Sequence, residues 1–285
     1  LCLAGSGPAE HVLLLTLHHV IADGWSIGVL IREISFFYRA AATGTPMALP
    51  PLPVQYADFA AWQRRWLAGE VYAAQLDYWR TQLAGAPALE LPADRPRPAV
   101  PSHRGGVCHF VLPAALTAQL AARARQQEAT LFMALLAGFA ALLGRYTGQE
   151  DLLLGSPIAN RTQREIEDLI GFFVNTLVLR VDLGNDPGFA ALLSRVRATT
   201  LGAYVHQDLP FEKLVGELAP ERSTDRTPLF QVMLALQEAP TGDLALPGLE
   251  VDFLDSPAET AKFDLSLACV HSGNGLSGHF VFRRD

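Results

Sequence analysis

A proline-rich segment near residue 100 most strongly constrains how this chain can fold. Its five prolines are Pro87, Pro92, Pro96, Pro98 and Pro101. Proline fixes the backbone angle φ and has no amide N–H to donate, so the segment is predicted to be neither a helix nor a central strand. We therefore expect a boundary between two lobes here, with residues 1–100 in the first lobe and residues 101–285 in the second.

Helix and strand patterns alternate on both sides of this segment. The first lobe is predicted to contain a buried strand at residues 12–17, a helix capped by Ser26 and ended by Gly44, and a second helix at about residues 57–83. In the second lobe, strands are predicted at residues 106–112, 151–158, 172–181, 229–236, 249–253, 263–270 and 276–282. Helices are predicted at residues 113–128, 130–146, 187–204 and 208–218. The turn signal Asn274-Gly275 predicts a hairpin of the last two strands, and the fold class is α/β or α+β.

The composition restricts the class of function. The 285 residues carry a net charge of −7, which argues against a nucleic-acid binder, and a mean hydropathy of +0.20, which argues against disorder. The longest apolar run, residues 131–143, is shorter than the roughly 20 residues of a membrane-spanning helix. Cys2, Cys108 and Cys269 lie far apart, which predicts neither a disulfide framework nor a zinc site and favours the reducing cytoplasm. We expect the chain to be a piece of a longer polypeptide.

A cluster of chemistry-bearing residues follows the first predicted strand. It contains His18, His19, Asp23 and Gly24. Histidine accepts and returns a proton near neutral pH, and alternation along a strand would allow one of the two rings to face a cavity. Asp23 lies where a turn must form, and Gly24 is expected to supply a backbone angle that other residues resist. A histidine pair that only packs in a core is the alternative.

An overlapping pattern, Gly24-Trp25-Ser26-Ile27-Gly28, fits the G-x-S-x-G nucleophile elbow of α/β-hydrolases. The elbow serine should follow its strand almost directly, whereas Ser26 lies well beyond the predicted strand and suits a helix cap. A metal site has little support, because His19 and Asp23 would give two ligands where zinc takes three or four. The sequence contains no G-x-x-x-x-G-K-[ST] pattern, so no ATP site of that type is expected. Any bond-forming reaction would therefore need a substrate that is already activated.

Five stretches together resemble one known family. The segment HHVIADGWS (residues 18–26) resembles the HHxxxDG signature of nonribosomal peptide synthetase condensation domains. Residues 56–62 are similar to the family's YxDFAxW, residues 170–180 to IGxFVNTxxxR, residues 206–212 to HQDxPFE and, more loosely, residues 222–229 to RDxSRNPL. The resemblance implies a chloramphenicol-acetyltransferase-like, two-lobed sandwich. The family's opening motifs are absent, so residues 1–100 are expected to be the remnant of a truncated first lobe.

The resemblance also implies an activity. Condensation domains join a donor acyl or peptidyl thioester to an acceptor aminoacyl thioester, each carried on the 4′-phosphopantetheine arm of a carrier protein. No cofactor is expected to bind the domain directly. The implied partners are donor and acceptor peptidyl carrier proteins and a neighbouring adenylation domain, with no nucleic acid and no membrane. The implied location is the cytoplasm.

Site roles follow from the same resemblance. His19 is expected at the reaction centre, in a tunnel between the lobes, with His18 supporting its loop and Gly24 offering a backbone N–H to the oxyanion. Asp23 is expected to pair with Arg161, and Asn175 to hold a loop between the lobes. Trp25 belongs to an Asp-Gly-Trp-Ser sequence similar to domains that join an L donor to an L acceptor.

Remaining motif residues are expected to be architectural. Tyr56, Phe59 and Trp62 have the spacing of a packed helix stripe, and His206 and Asp208 suit capping positions. An ester-forming acyltransferase of the same fold, a non-catalytic carrier-docking module and a hydrolase using Ser26 are the alternatives. The piece alone is expected to be inactive or poorly folded.

Overall fold

The computed structural model describes most of the chain. The described residues are 2–5, 7, 10–98, 102–219, 226–238, 244–252, 254, 260–272 and 275–284. They form two compact units. Unit 1 comprises residues 1–64, 159–174 and 242–252, and unit 2 comprises residues 65–158, 175–241 and 253–285. The lobe boundary predicted near residue 100 stays a prediction.

The described residues of unit 1 form a short hairpin, two α-helices and a single 3-10 turn at Arg164–Ile166. Strand β1 (Cys2–Gly5) pairs antiparallel with β2 (His11–Leu14), and they are followed by α1 (Gly24–Thr43) and α2 (Tyr56–Trp66), whose last two residues belong to unit 2. Helix α1 ends where Gly44 adopts a left-handed φ of 65°, as predicted. The core of unit 1 is small, formed by Phe59, Ile166, Leu169 and Phe173, with Val54, Tyr56 and Trp62 packed against it. The predicted stripe of Tyr56, Phe59 and Trp62 is therefore confirmed.

The first predicted strand differs from the structure in extent and in burial. Strand β2 ends at Leu14, and its side chains are exposed, Leu14 by 59%. A continuous apolar run usually indicates a strand covered on both faces. In the described part of the chain β2 pairs with β1 alone in a two-stranded sheet, so nothing covers both of its faces.

Unit 2 is built on a six-stranded mixed sheet with the order β3-β8-β7-β6-β4-β5. Its strands are β3 (Gly105–Pro113), β4 (Asp151–Ile158), β5 (Asn175–Asp182), β6 (Val232–Glu238), β7 (Leu265–Ser272) and β8 (Gly275–Arg283). The pairs β4–β6 and β6–β7 are parallel and the others antiparallel. The predicted hairpin of β7 and β8 is confirmed, although its turn residues 273–274 lie outside the described residues.

The described residues of unit 2 form five helices. They are α3 (Gly69–Leu83), α4 (Ala114–Arg125), α5 (Leu131–Thr147), α6 (Phe189–Val205) and α7 (Phe211–Leu218). Thr130 caps α5 by accepting a hydrogen bond from the amide of Met133, and Gly148 ends it with a left-handed φ. The apolar run of α5 lies in the core, with Leu136, Ala137 and Ala140 fully buried. Within the described residues, no helix is both long and apolar enough to cross a membrane.

Three further predicted elements need correction. The helix predicted at residues 57–83 is two helices, because Gly69 adopts a φ of 55° that breaks the helical path between α2 and α3. The strand predicted at residues 249–253 is absent from the described residues 249–252, which have no strand to pair with. The strand predicted from residue 172 begins only at Asn175, because the amides of Phe173 and Val174 donate to a side chain instead of a neighbouring strand.

Candidate functional site

The paired histidines lie in a turn after β2 ends. The amide of Ile21 donates to the carbonyl of His18 at 3.0 Å, which closes the turn, and the amide of Val20 donates to His18 Nδ1 at 3.1 Å. The expectation that the two rings alternate along a strand was therefore wrong. The turn holds His18 through its own ring nitrogen and leaves His19 to be placed by other contacts.

One hydrogen bond sets the tautomer of the neutral His19 imidazole, that is, which ring nitrogen carries the proton. Its Nδ1 lies 2.9 Å from the carbonyl oxygen of Ala22. A carbonyl oxygen only accepts hydrogen bonds, so Nδ1 carries the proton and Nε2 keeps its lone pair. Among the described residues Nε2 has no hydrogen-bond partner, and the residue is exposed. The ring is therefore open to a reactant and presents a proton acceptor.

Asp23 anchors this turn from a buried position. Its Oδ1 accepts from the amide and the hydroxyl of Ser26, both at 2.8 Å, and its Oδ2 accepts from the amides of Phe173 at 2.9 Å and Val174 at 3.2 Å. Asp23 is thus the N-cap of α1. The expectation that Ser26 caps this helix was wrong, because Asp23 has the extended backbone of a cap and reaches the amide three residues on.

Arg161 completes a buried ion pair with Asp23. Its Nη2 lies 3.3 Å from Asp23 Oδ1, and the two side chains are 1% and 2% exposed. Its Nη1 donates to the carbonyls of Ile166 and Leu169. The guanidinium carbon lies 4.0 Å from the centroid of the Phe173 ring, a cation–π contact. The structure thus brings the predicted pair together, and Arg161 does not face solvent.

The pair holds its charged form despite burial. Burial raises the pKa of Asp23, but hydrogen bonds from Ser26 and Phe173 and the charge of Arg161 outweigh it, so the pKa lies below the ordinary 3.8. Burial lowers the pKa of Arg161, and Asp23 opposes that change. Asp23 is therefore an ionised brace near neutral pH and not a proton carrier.

The Ser26 side chain forms hydrogen bonds with three residues of unit 1, which are Asp23, Arg161 and Gly171. Its hydroxyl lies 2.8 Å from Asp23 Oδ1 and from the Gly171 carbonyl, and it accepts from Arg161 Nη2 at 2.9 Å and from the Gly171 amide at 3.0 Å. The residue is 0% exposed. A buried hydroxyl with all its hydrogen-bonding capacity in use cannot act as a nucleophile, so the hydrolase alternative loses its key residue.

We expect Ser26→Ala to lower the free energy that keeps these hydrogen-bonded segments closed by about 1–3 kcal/mol, because the Gly171 amide loses its buried acceptor. Hydrogen exchange of the Gly171 amide, measured by mass spectrometry, reports the change. Ser35→Ala is the matched control, since Ser35 also lies buried in α1 but makes one bond, to the Ile31 carbonyl. Equal protection of Gly171 in both variants would contradict the assignment.

Two further predicted residues lie on this network. Trp25 donates from Nε1 to the Glu167 carbonyl at 2.8 Å, and its ring lies 5.8 Å from the guanidinium carbon of Arg161. Gly24 begins α1 without a left-handed φ, and a Cβ there would meet nothing within 4 Å. The expectation of a special backbone angle at Gly24 was wrong, because the residue has already entered the helix.

A loop of residues 171–174 contacts His19. The Phe172 ring packs edge-to-face on the imidazole, with centroids 5.2 Å apart and planes at 86°. The Tyr56 hydroxyl donates to the Phe172 carbonyl at 2.9 Å. A Cβ at Gly171 would lie 2.3 Å from the Tyr56 ring, so only glycine fits there. Sequence reasoning considered Ser26 only as a helix cap or a hydrolase nucleophile, and it did not name Gly171 or Phe172 individually, for which the pattern at residues 170–176 was the signal.

Asn175 lies in unit 2 and fixes the start of α7. Its Nδ2 donates to the carbonyls of Gln207 at 2.7 Å and Leu209 at 2.9 Å, and its Oδ1 accepts from the amide of Phe211 at 3.0 Å. This side chain serves the first helical amide, so the expectation that Asp208 caps the helix was wrong. Burial raises the pKa of Asp208.

We expect Asn175→Asp to lower the free energy that keeps the start of α7 closed by about 1–3 kcal/mol. Aspartate keeps the acceptor but loses both donors and turns a charge toward two carbonyl oxygens. Hydrogen exchange of the Phe211 amide measures the effect. Asn185→Asp, at an exposed position, is the control, and unchanged exchange at Phe211 in Asn175→Asp would refute the assignment.

His206 is a structural residue of unit 2. It ends α6, its Nδ1 lies 2.8 Å from the Gly202 carbonyl, and its ring stacks on Tyr78 with centroids 3.9 Å apart. The expected capping position is confirmed. Residues 222–225 of the RSTDRTPL stretch lie outside the described residues. Among the described residues, no group of three His, Cys, Asp or Glu side chains is placed to hold a metal ion.

Sequence comparison with known proteins identifies the family to which this chain belongs. The Condensation domain family matches residues 1–285. The chain is 51% identical over 276 residues to a linear gramicidin synthase polypeptide of Brevibacillus parabrevis, covering 96% of this chain and 5% of that protein. It is 50% identical over 278 residues to phosphinothricin tripeptide synthetase PhsB of Streptomyces viridochromogenes, covering 96% and 23%. The chain thus spans a small part of these relatives, and it belongs to the condensation-domain family, as predicted.

Solved structures agree with this assignment. The X-domain from teicoplanin biosynthesis is 32% identical, with a TM-score of 0.84 over 94% of this chain and 63% of that one. The four-domain nonribosomal peptide synthetase holo-AB3403 is 24% identical, with a TM-score of 0.81 over 94% of this chain and 21% of that one, and shows the fold alone. The predicted fold class, the mixed chloramphenicol-acetyltransferase-like fold, is confirmed.

Proposed function

We propose that this chain forms amide bonds between two carrier-bound thioesters, with His19 as the proton acceptor. The proposal is supported by the exposed imidazole, whose Nδ1 lies on the Ala22 carbonyl and whose Nε2 has no hydrogen-bond partner in the described part of the chain. Its turn is braced by the buried Asp23–Arg161 pair. Family membership and the peptide synthetases among the relatives support the same activity.

The chemistry requires little beyond positioning and proton transfer. The acceptor amine attacks the donor thioester carbonyl, a C–N bond forms, the C–S bond breaks, and the carrier thiol leaves. His19 Nε2 takes the proton of the amine and returns it to the departing sulfur. A neutral ring protonated at Nδ1 has no donor at Nε2, which favours this general-base role over hydrogen bonding to the oxyanion.

Substrates and partners belong to the same proposal. The donor and acceptor arrive on 4′-phosphopantetheine arms of carrier proteins, and an adenylation domain of the same cytoplasmic synthetase loads them. The Asp23-Gly24-Trp25-Ser26 sequence supports an L-configured donor and acceptor. Within this proposal His18 supports the turn, Gly24 offers its N–H to the oxyanion, and Arg161, Trp25 and Asn175 hold the surrounding segments. Residues 1–100 and 101–285 contribute to the two lobes.

The proposal is tested with the full-length synthetase and two loaded carriers. Mass spectrometry of the acceptor carrier should detect a dipeptidyl thioester that depends on both carriers. Offering a free alcohol in place of the carrier-bound amine tests the ester-forming alternative. Donor hydrolysis that ignores the acceptor and disappears in Ser26→Ala would support the hydrolase instead.

A docking module is the second candidate function. One solved relative, 32% identical with a TM-score of 0.83, is described as a complex of the X-domain and OxyB from teicoplanin biosynthesis. This fold can therefore serve as a protein-binding module. Carrier binding of normal strength without any amide product in the full-length protein would favour that function for this chain.

A further inference from the structure

We infer that Phe172 is the positioning residue of the His19 imidazole, an inference that rests on the proposed function. The two rings meet edge-to-face at 5.2 Å between centroids. This is the aromatic contact of His19 in the described structure, and it comes from a residue about 150 positions further along the chain. Phe172 lies outside the HHxxxDG signature at residues 18–24.

His19 needs a second contact to hold one orientation. Its hydrogen bond to the Ala22 carbonyl fixes one ring atom, Nδ1, whereas Nε2 has no hydrogen-bond partner among the described residues and the residue is exposed. An edge-to-face partner resists rotation of the ring, because aromatic pairs prefer this geometry over others. We therefore expect the direction of Nε2 to stay fixed as long as the Phe172 ring contacts the imidazole.

The backbone around Phe172 is anchored on both sides. Its own carbonyl accepts from the Tyr56 hydroxyl, the preceding Gly171 is bonded to the Ser26 hydroxyl through its amide, and the following Phe173 amide donates to Asp23. The buried brace of Asp23 and Ser26 thus has a second effect besides shaping the turn. It fixes the loop that carries the Phe172 ring to the imidazole.

Reaction rate is the first readout. In the full-length synthetase, Phe172→Ala should lower the single-turnover rate of amide formation by about 10–100-fold, because displacement by about 1 Å can cost 10²-fold. The KM values for both carriers should stay unchanged. Phe172→Tyr keeps the aromatic edge and should restore most of the rate, whereas Phe172→Leu should not. Phe37→Ala, which removes an exposed ring from α1 of the same unit, is the control and should leave the rate unchanged.

Coupling to Tyr56 separates positioning from general damage. Tyr56→Phe removes the bond to the Phe172 carbonyl and should lower the rate less than Phe172→Ala does. Added to Phe172→Ala, it should cause little further loss, because both changes act through one ring. Fully multiplicative losses, or a loss of thermal stability with an unchanged rate, would overturn the inference.

A second readout does not depend on amide formation. Diethyl pyrocarbonate acylates unprotonated imidazole nitrogens, and tandem mass spectrometry of the full-length protein resolves His19 from His18. Phe172→Ala should raise the acylation rate of His19 several-fold, while the exposed His11 stays constant as the reference. If the wild-type protein made no amide, the proposed function would be wrong. The acylation rate of His19 would still test whether Phe172 positions the imidazole. Unchanged His19 acylation in Phe172→Ala would overturn the inference even if the enzyme is active.

Discussion

Replacing His19 by alanine in the full-length synthetase is expected to lower the rate of amide formation by about 10²–10⁴-fold, the contribution typical of a positioned proton acceptor. The reason is the ring's geometry, because Nδ1 is occupied by the Ala22 carbonyl and Nε2 alone can take the proton of the amine. Single-turnover kinetics with preloaded donor and acceptor carriers measure the loss without interference from loading.

His11→Ala is the matched control, because His11 is exposed on β2 and makes no part of the braced turn. It should leave the rate unchanged. Carrier binding should be preserved in both variants, since the change at His19 removes a reacting group and no docking surface. A His19→Ala enzyme that condenses at the wild-type rate would remove the imidazole from the mechanism.

The second large effect concerns stability. Asp23→Ala should lower the free energy that keeps this segment folded by about 3–5 kcal/mol, because it leaves the Arg161 charge buried without a partner. Hydrogen exchange at the amides of Phe173 and Val174, which Asp23 accepts from, measures the loss. Adding Arg161→Met removes the stranded charge, so the double variant should lose less than the sum of the single losses.

Asp168→Ala is the control for this effect. Asp168 also pairs with an arginine of unit 1, Arg32, but the two side chains are 69% and 61% exposed. Exposed ion pairs contribute about 0–1 kcal/mol, so this variant should change protection little. Losses of similar size at Asp23 and Asp168 would contradict the assignment of Asp23 as the central brace.

Low pH should remove the stabilisation that ionised Asp23 provides. The pKa of Asp23 is lowered in the folded chain, so its stabilising contribution is complete above its ordinary value of 3.8 and is lost as pH falls through the lower folded value. Asp23→Asn removes the titrating group. Below pH 3.8 the wild-type advantage in exchange protection over Asp23→Asn should shrink steadily, whereas an advantage independent of pH would show that charge is irrelevant here.

Local sequence signals predicted much of unit 2. Helix α5 was predictable because Thr130 and Gly148 mark its ends and its apolar run matches a buried helix. The hairpin of β7 and β8 followed from a turn signal, and residues 86–98 of the proline-rich segment form neither helix nor strand. These features depend on neighbours in sequence, so a single chain displays them.

The site depended on contacts that a single chain does not display. Ser26 meets Gly171 across 145 positions and Arg161 across 135, and nothing in local spacing pairs them. The Asp23–Arg161 pair was expected only through family resemblance. The strand predicted from Phe172 failed because a carboxylate took the amides that a strand would have used. Periodicity describes which side chains can be buried and does not identify a side chain that replaces a backbone partner.

In the proposed mechanism, His19 Nε2 receives the proton of the attacking amine. The most direct measurement is a structure of the full-length synthetase trapped with a stable, non-cleavable donor analogue and an amine-bearing acceptor arm. We predict that the acceptor nitrogen lies about 2.6–3.2 Å from His19 Nε2, with Nδ1 still on the Ala22 carbonyl. An amine that is positioned for attack but contacts another side chain, with the His19 ring turned away, would exclude His19 as the proton acceptor.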